Sequence, residues 1–273
     1  MFEAIILGII QGLTEFIPIS SSAHLRLAGE IFPNAIDPGA MFTAITQIGT
    51  ELAVLIYFRK DIVRIISSWI ASLTDKKARN QDSKMGWLII VGSVPIVIIG
   101  YWAQDLITNE LRSLWIIASM MVVFGLILGA ADRFGTKTRE LSQLDVKHGI
   151  LYGLAQSLAL VPGVSRSGAT IAMGRLLGYS REAALRYSFL LALPAVFGSG
   201  LYELKGAISD NQVAVYSLTQ TLVATVIAFI IGYLVIAWLL KFVTTKSFAP
   251  FIIYRVLLGS TVLILLATGV LQP

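Results

Sequence analysis

Hydrophobic positions along this chain come in long unbroken runs, not in the narrow stripes of a soluble fold. Six runs approach the ~20 residues that a helix needs to cross a bilayer. They cover about 41 to 58, 86 to 104, 113 to 131, 187 to 204, 214 to 240 and 251 to 271. Polar residues collect between them. The connection from Arg59 to Lys84 carries Arg59, Lys60, Arg64, Lys76, Lys77, Arg79 and Lys84, and the one from Arg133 to Lys147 carries Arg133, Lys137, Arg139 and Lys147. Basic loops beside membrane spans favour the cytoplasmic side, so both connections are placed there. Span 41 to 58 then runs inward, 86 to 104 outward and 113 to 131 inward. In the second half, 187 to 204 runs outward, 214 to 240 inward toward Lys241 and Lys246, and 251 to 271 outward. The two halves have opposite orientation.

Two stretches remain, residues 1 to 40 and 148 to 186, and each must begin and end on one side of the membrane. No Lys or Arg precedes Arg26, which suits an external N-terminus, while Arg175, Arg181 and Arg186 lie near the end of the second stretch. Each reads as a re-entrant hairpin, one entering from each face. Non-helical backbone at that depth is tolerated only where it is buried in protein or lines a wet cavity. A self-comparison agrees: Gly8, Gly12, Leu13 and Glu15 align with Gly149, Gly153, Leu154 and Gln156, and after a three-residue shift Pro18 and Ser21 align with Pro162 and Ser165. The expected fold is an all-α polytopic membrane protein, a single domain of six transmembrane helices and two re-entrant helix hairpins. Its inverted-topology repeat has halves of about 1 to 132 and 148 to 273, an architecture that puts its site near the midplane.

Composition sharpens this picture. With 56% hydrophobic and 14% charged residues in 273, the chain has too much apolar surface for a water-soluble core of this size. The opening M-F-E-A-I-I-L has no basic n-region and no small-residue cleavage site after its apolar run, and reads as mature structure. The absence of cysteine excludes disulfides and thiolate metal sites. A net charge of +5 would suggest nucleic acid in a soluble protein, but here the basic residues sit in connecting loops, so the expected partner is the bilayer and no nucleic acid.

Candidate chemistry is confined to the two hairpins, Q-G-L-T-E-F-I-P-I-S-S-S-A-H at 11 to 24 and Q-S-L-A-L-V-P-G-V-S-R-S-G-A-T at 156 to 170. Gln11 and Glu15 share a helix face by their i, i+4 spacing, and Pro18 ends that helix. Ser20, Ser21 and Ser22 follow as N-cap candidates for a short helix carrying His24, whose free N–H groups favour an anion. Ser21 and His24 at i, i+3 supply the minimum of an activated nucleophile, a hydroxyl and a base. In the second hairpin Pro162 and Gly163 break the helix, Ser165 and Ser167 can cap, and Arg166 presents a charged fork suited to phosphate oxygens. A charge at the bilayer centre costs at least ~2.5 to 3.5 kcal/mol on insertion scales, which a polyanionic substrate would offset. Each residue also has a structural reading: Glu15 as an interhelical contact, the serines as caps only, His24 as a satisfied core histidine, Arg166 as the neutralising partner of Glu15. Their shared depth favours a site. His148, next to Lys147, is expected in solvent; Arg26 is a second phosphate contact or a snorkelling residue; Glu51, inside an apolar span, has no role that follows from spacing.

The chain resembles the undecaprenyl-diphosphate phosphatase family of bacterial membranes, also called bacitracin-resistance proteins. The resemblance rests on G-L-T-E-F-I-P-I-S-S-S-A-H at 12 to 24, Q-I-G-T at 47 to 50, P-G-V-S-R-S-G-A-T at 162 to 170 and F-A-P-F-I-I-Y-R at 248 to 255. It implies hydrolysis of undecaprenyl diphosphate to the monophosphate carrier that peptidoglycan synthesis reuses, in the bacterial plasma membrane with a site open to the external side. By matching positions, the metal-associated acidic pair falls on Gln11 and Glu15, the serine on Ser21, the histidine on His24, and the arginine motif on Ser165, Arg166 and Thr170. Gln11 departs from the commoner Glu, and a neutral ligand there weakens a divalent ion's hold; Ala23 stands where Gly is frequent. The resulting assignment makes Ser21, His24, Glu15 and Arg166 catalytic, with Ser21 attacking phosphorus and His24 taking its proton. Ser20, Ser22, Ser165, Ser167, Thr170 and Arg26 would bind phosphate, and Glu15 with Gln11 would hold Mg²⁺ or Ca²⁺. The partner is a long-chain polyprenyl diphosphate lipid; a homodimer stays open. The rival reading is a secondary transporter, because inverted repeats with broken helices also build transporters.

Overall fold

The computed structural model describes residues 1–31, 37–108, 110–135, 138–209 and 215–272. Lys137 of the second basic connection, residue 214 at the start of the fifth apolar run, and residues 32 to 36 of the first leftover stretch lie outside them. The helices in chain order are α1 (Phe2–Thr14), α2 (Ser21–Ile31), α3 (Gly39–Tyr57), α4 (Arg59–Thr74), α5 (Gln81–Trp102), α6 (Gln104–Thr108), α7 (Leu114–Phe134), α8 (Val146–Ser157), α9 (Arg166–Leu176), α10 (Arg181–Ser209), α11 (Leu218–Thr245) and α12 (Ala249–Ala267). Among the described residues no strand forms. Six helices are long and apolar enough to cross a membrane: α3, α5, α7, α10, α11 and α12. They cover the six expected runs, and the protein is a multi-pass all-α membrane protein.

The breaks have local causes. Past Thr14 the chain turns through Pro18, whose ring cannot follow a helical residue, and re-enters a helix at Ser21. Past Ser157 a single 3₁₀ turn, Leu158–Leu160, leads to Pro162 and Gly163, and α9 starts at Arg166. The residues just before the two new helices, Ser20 (φ 76°) and Ser165 (φ 71°), are the only non-glycine residues with positive φ among those described. Such backbone costs of order 1–3 kcal/mol per residue and persists only where surroundings hold it. Each serine also caps its helix: Ser20 Oγ accepts from the Ala23 N–H at 3.4 Å and Ser165 Oγ from the Gly168 N–H at 3.1 Å. Ser20, not Ser21, is therefore the structural counterpart of Ser165, one residue away from the register of the self-comparison. Identity of serines misled there because the strained cap, invisible in sequence, sets the register.

Packing places these broken helices inside the bundle. α1 lies against α11 and α8 against α5. A Cβ on Gly8 would sit 2.6 Å from the Ala224 carbonyl oxygen, and one on Gly153 would sit 2.3 Å from that of Gly92. Close backbone approach of this kind is what small-residue spacing provides in membranes. α3 packs on α10 and α11, and α7 on α12. The main core cluster joins Phe16 from the first break to Leu185, Phe189 and Leu190 of α10 and to Val235, Ile236 and Leu239 of α11.

Two expectations need correction. The basic connection after Tyr57 is mostly helical: α4 exposes Val63, Ile66, Ile70 and Leu73 on one stripe and buries Ile65. Arg59, Lys60, Asp61 and Arg64 at its start lowered the hydropathy below that of a span, although the 3.6-residue period was there to be read. His148 is not in solvent; it sits on α8, packs edge-on to the Tyr179 ring and places Nδ1 2.7 Å from the Tyr179 hydroxyl.

Near the end of α7 a buried carboxylate gathers four elements. Asp132 accepts from Arg175 Nε of α9 at 3.0 Å, from Arg181 Nε and Nη2 of α10 at 2.8 and 3.0 Å, and from the Phe248 N–H ahead of α12 at 3.3 Å. Arg175 is fully buried. Removing one partner of such a group strands the other charges, at about 3–5 kcal/mol. Asp132→Ala should lower the melting temperature in detergent accordingly, read by thermal unfolding of the purified protein; an unchanged melting temperature would show that this cluster does not hold α9 to the bundle.

Candidate active site

The two breaks meet. Gly163 N–H of the second points at Ser22 Oγ of the first at 3.5 Å, and Ser167 Oγ lies 3.4 Å from the carbonyl oxygens of both Glu15 and Ile17. A fully buried guanidinium from α12 stitches them together. Arg255 donates from Nη1 to the Pro18 carbonyl at 3.1 Å and from Nη2 to those of Gly163 and Val164 at 2.8 and 3.0 Å. Its Nε reaches the Met121 carbonyl of α7 at 3.0 Å. Broken helices leave carbonyls without intrahelical donors, and those buried in protein need another donor. Arg255 supplies it.

Around this junction the polar side chains form one connected network. Glu15, 5% exposed, lies just past α1. Its Oε2 accepts from Ser21 Oγ at 2.6 Å, from Gln11 Nε2 at 2.7 Å and from Gln47 Nε2 at 3.4 Å. Its Oε1 accepts from Arg166 Nη2 at 2.6 Å. The same Nη2 donates to Glu51 Oε1 of α3, also at 2.6 Å. Elements far apart in sequence, the first break, α2, α3 and α9, thus converge on one carboxylate. Two short helices, α2 and α9, begin there, and the partial positive charge of each N-terminus favours an anion.

The expected site residues fall into three groups. Gln11, Glu15, Ser21 and Arg166 are in direct contact. Ser20, Ser22, Ser165 and Ser167 line the two helix starts, with Ser20 Oγ 3.2 Å from Ser22 Oγ and Ser165 Oγ 3.2 Å from Ser167 Oγ, a repeated arrangement. The remainder are turned elsewhere. Thr170 Oγ1 bonds the Arg166 carbonyl at 2.8 Å and Ser188 Oγ of α10 at 2.6 Å, a structural link between helices. Arg26 pairs with Glu30 and lies 3.8 Å from Asp37. His24 makes no hydrogen bond to Ser21 among the described residues; its Nδ1 lies 2.7 Å from the Ser20 carbonyl and its Nε2 2.8 Å from the Tyr254 hydroxyl, with the two rings stacked. The group that holds the Ser21 hydroxyl is Glu15.

Sequence reasoning missed Gln47, Glu51, Tyr254 and Arg255 as members of this centre. Glu51 stands out in the sequence as a carboxylate in an apolar span with no role assigned, while Gln47, Tyr254 and Arg255 fall in the segments 47 to 50 and 248 to 255 that carry the family resemblance. Tyr254 and Arg255 come from the far end of the chain, and nothing in their local spacing announces the contact.

Several buried polar atoms here have no partner among the described residues: Gln11 Oε1, Glu51 Oε2 and Arg166 Nη1. The first two are acceptors awaiting a cation or donor, and the third is a donor awaiting an anion. Hard divalent ions take oxygen ligands, and two carboxylates with an amide oxygen match that donor chemistry. Among the described residues no cluster of three His, Asp or Glu forms, so the set has one acidic ligand fewer than a purely carboxylate cage.

Fold and site together define a polytopic membrane protein whose polar centre, built from two broken helices, is suited to an anionic group. The chain belongs to the family described as "Bacitracin resistance protein BacA", whose model matches residues 4–261. It is 59% identical over 272 residues to the undecaprenyl-diphosphatase of Paenarthrobacter aurescens, covering 99% of this chain and 98% of that one. The Micrococcus luteus undecaprenyl-diphosphatase is 58% identical over 272 residues, covering 99% and 98%. Undecaprenyl-diphosphatase 2 of Streptomyces coelicolor is 55% identical over 285 residues, covering 100% and 97%.

The role given to Arg255 is open to test. Arg255→Met keeps an apolar stem but leaves the carbonyls of Pro18, Gly163 and Val164 without donors, each worth about 1–3 kcal/mol when stranded. Hydrogen–deuterium exchange in detergent should rise selectively in peptides spanning 16 to 22 and 161 to 168. Exchange equal to the parent in both would remove Arg255 as the tie between the breaks.

Proposed function

We propose that this protein is an undecaprenyl-diphosphate phosphatase, which hydrolyses the lipid diphosphate to undecaprenyl phosphate and inorganic phosphate. In the bacterial plasma membrane this recycles the carrier for peptidoglycan synthesis and confers bacitracin resistance. Membership of the family and the relatives' names support the substrate. The single observation that carries the chemistry is the chain Ser21–Glu15–Arg166, with links of 2.6 Å, at the meeting point of two helix starts.

In this reading the pairs α1/α2 and α8/α9 are re-entrant elements from opposite faces, related by an inverted repeat. The matched packing of α1 on α11 and α8 on α5, and the twin positive-φ serines, support it. The centre opens to the external side, where the spent carrier is released during wall assembly. The prenyl tail stays among apolar helices and the diphosphate enters the polar junction.

Ser21 Oγ attacks the terminal phosphorus while its proton passes to Glu15 Oε2, against which the hydroxyl already lies. The bond to the bridging oxygen breaks, and undecaprenyl phosphate leaves with that oxygen; a phosphate monoester is a good enough leaving group to need no acid. Water then attacks the phosphoserine, and transfer of the proton from Glu15 to Ser21 Oγ restores the hydroxyl as inorganic phosphate departs. Arg166, through its unpaired Nη1, and the N–H groups starting α2 and α9 hold the equatorial oxygens. His24, its two ring nitrogens held by the Ser20 carbonyl and the Tyr254 hydroxyl, borders the junction as a fixed wall. Gln11, through its unpaired Oε1, and Glu15 before it takes the proton would hold a Mg²⁺ or Ca²⁺ ion, which would supply neutralisation of phosphate charge.

Phosphate release from a long-chain prenyl diphosphate in detergent micelles is the test, because transport cannot register where no compartments exist. Ser21→Ala and Arg166→Ala should each lower kcat by about 10³-fold or more, the scale of losing a nucleophile or an oxyanion clamp. Near-parent turnover of Ser21→Ala would replace the serine route by direct attack of water or His24. No phosphate release from the parent would favour anion transport. Chelation by EDTA should abolish the activity, with recovery on adding Mg²⁺ or Ca²⁺.

A further inference from the structure

Glu51 is the group in this centre that the reaction above does not use. It sits midway along α3, fully buried, where a carboxylate needs a specific reason. Its Oε1 takes Arg166 Nη2 at 2.6 Å, and Glu15 Oε1 takes the same nitrogen at the same distance. One guanidinium nitrogen is therefore shared by two carboxylates on different elements, while the other terminal nitrogen, Nη1, has no partner among the described residues. A lone Glu15–Arg166 pair would relax differently. Arginine and carboxylate prefer the two-bond fork, which would turn Nη1 onto Glu15 as well and occupy both of its oxygens. Glu15 Oε2, which already accepts from Ser21, Gln11 and Gln47, would then gain a cationic donor in competition with the Ser21 hydroxyl.

We propose that Glu51 is a positioning residue for the phosphate-transfer step: by holding Arg166 Nη2 from the α3 side it keeps Nη1 turned to the incoming phosphate and leaves Glu15 Oε2 to the Ser21 hydroxyl. This rests on the phosphatase reading. The role lies on the step from ground state to transition state, since both consequences, an Nη1 open to phosphate and an Oε2 clear of the guanidinium, concern groups that act as phosphorus is transferred. The expected signature is a loss in kcat with little change in KM.

A double-mutant cycle tests it. Glu51→Gln, nearly the same size, should lower kcat about tenfold or more with KM within about threefold of the parent. Arg166→Lys removes the fork, so in that background the same Glu51→Gln change should cost less than about threefold. Equal losses in the two backgrounds, a loss confined to KM, or a kcat for Glu51→Gln within about twofold of the parent would each overturn the proposal. Equal losses would also be the result if Glu51 acted only by holding a cation. If Glu51→Gln does not fold, judged by melting temperature in detergent, Glu51→Asp enters the same cycle, since it keeps the charge but shortens the reach by one methylene. A parent that releases no phosphate would sink the phosphatase reading itself, an outcome separate from any of these.

Discussion

A single buried guanidinium is what allows two interrupted helices to coexist at the centre of this bundle. Each interruption leaves backbone carbonyls that no helix donor pairs, and one such buried carbonyl costs about 1–3 kcal/mol when left bare. Arg255 takes carbonyls from both interruptions and from α7 at 2.8–3.1 Å. A lysine would offer a point charge with three donors on a flexible stem; the planar fork reaches in several directions at once. Because Arg255 touches both breaks, it fixes not only each turn but their spacing, and with it the distance across which Ser21 and Arg166 face Glu15. The strained serines at φ 76° and 71° are tolerable only inside such a frame.

The frame also explains how charge can be kept at this depth. Glu15, Glu51 and Arg166 compensate one another incompletely: two carboxylates share one guanidinium nitrogen, and acceptor and donor atoms remain unpaired on either side of it. Burying unpaired polar atoms is costly in a resting protein, and a purely structural cluster would be expected to close on itself. Asp132 shows what such closure looks like here. Its carboxylate takes two arginines and a backbone N–H, and it holds α7, α9 and α10 together. Comparison of the two clusters, in one protein and among the same helices, separates stabilising electrostatics from a centre left open for a ligand.

Much of the fold was legible because long apolar runs and loop charges are strong, local signals. All six spans were placed within a few residues, and α10 ran longer mainly because Arg181, Glu182 and Arg186 at its start have partners that hydropathy cannot see. α4 was missed for the converse reason, its charges hiding an amphipathic period. At the site, Gln11, Glu15, Ser21 and Arg166 could be found because polar residues in apolar surroundings are conspicuous. The wiring among them could not. Spacing put Ser21 and His24 on one face of α2, yet the capped start of the helix turns Ser21 to Glu15, while His24 is claimed by the Ser20 carbonyl and by Tyr254, 230 residues away. Which neighbour a hydroxyl chooses depends on elements that only tertiary packing brings near.

The choice has chemical consequences. A serine hydrogen-bonded to imidazole, as in acyl-transfer triads, pairs a nucleophile with a base whose positive charge must be stabilised after proton transfer. In the proposed reaction a serine hydrogen-bonded to Glu15 passes its proton to a group that becomes neutral, while the negative charge moves to the phosphates and onto the departing oxygen, so no new cation is created. With Arg166 beside it, the site then moves from two carboxylates against one guanidinium toward balance during the step, when anionic oxygens crowd the phosphorus. In a medium where each uncompensated charge is expensive, an arrangement that relocates existing charge is favoured over one that separates new charge. The pairing of Ser21 with a carboxylate is thus consistent with phosphate chemistry carried out inside a membrane.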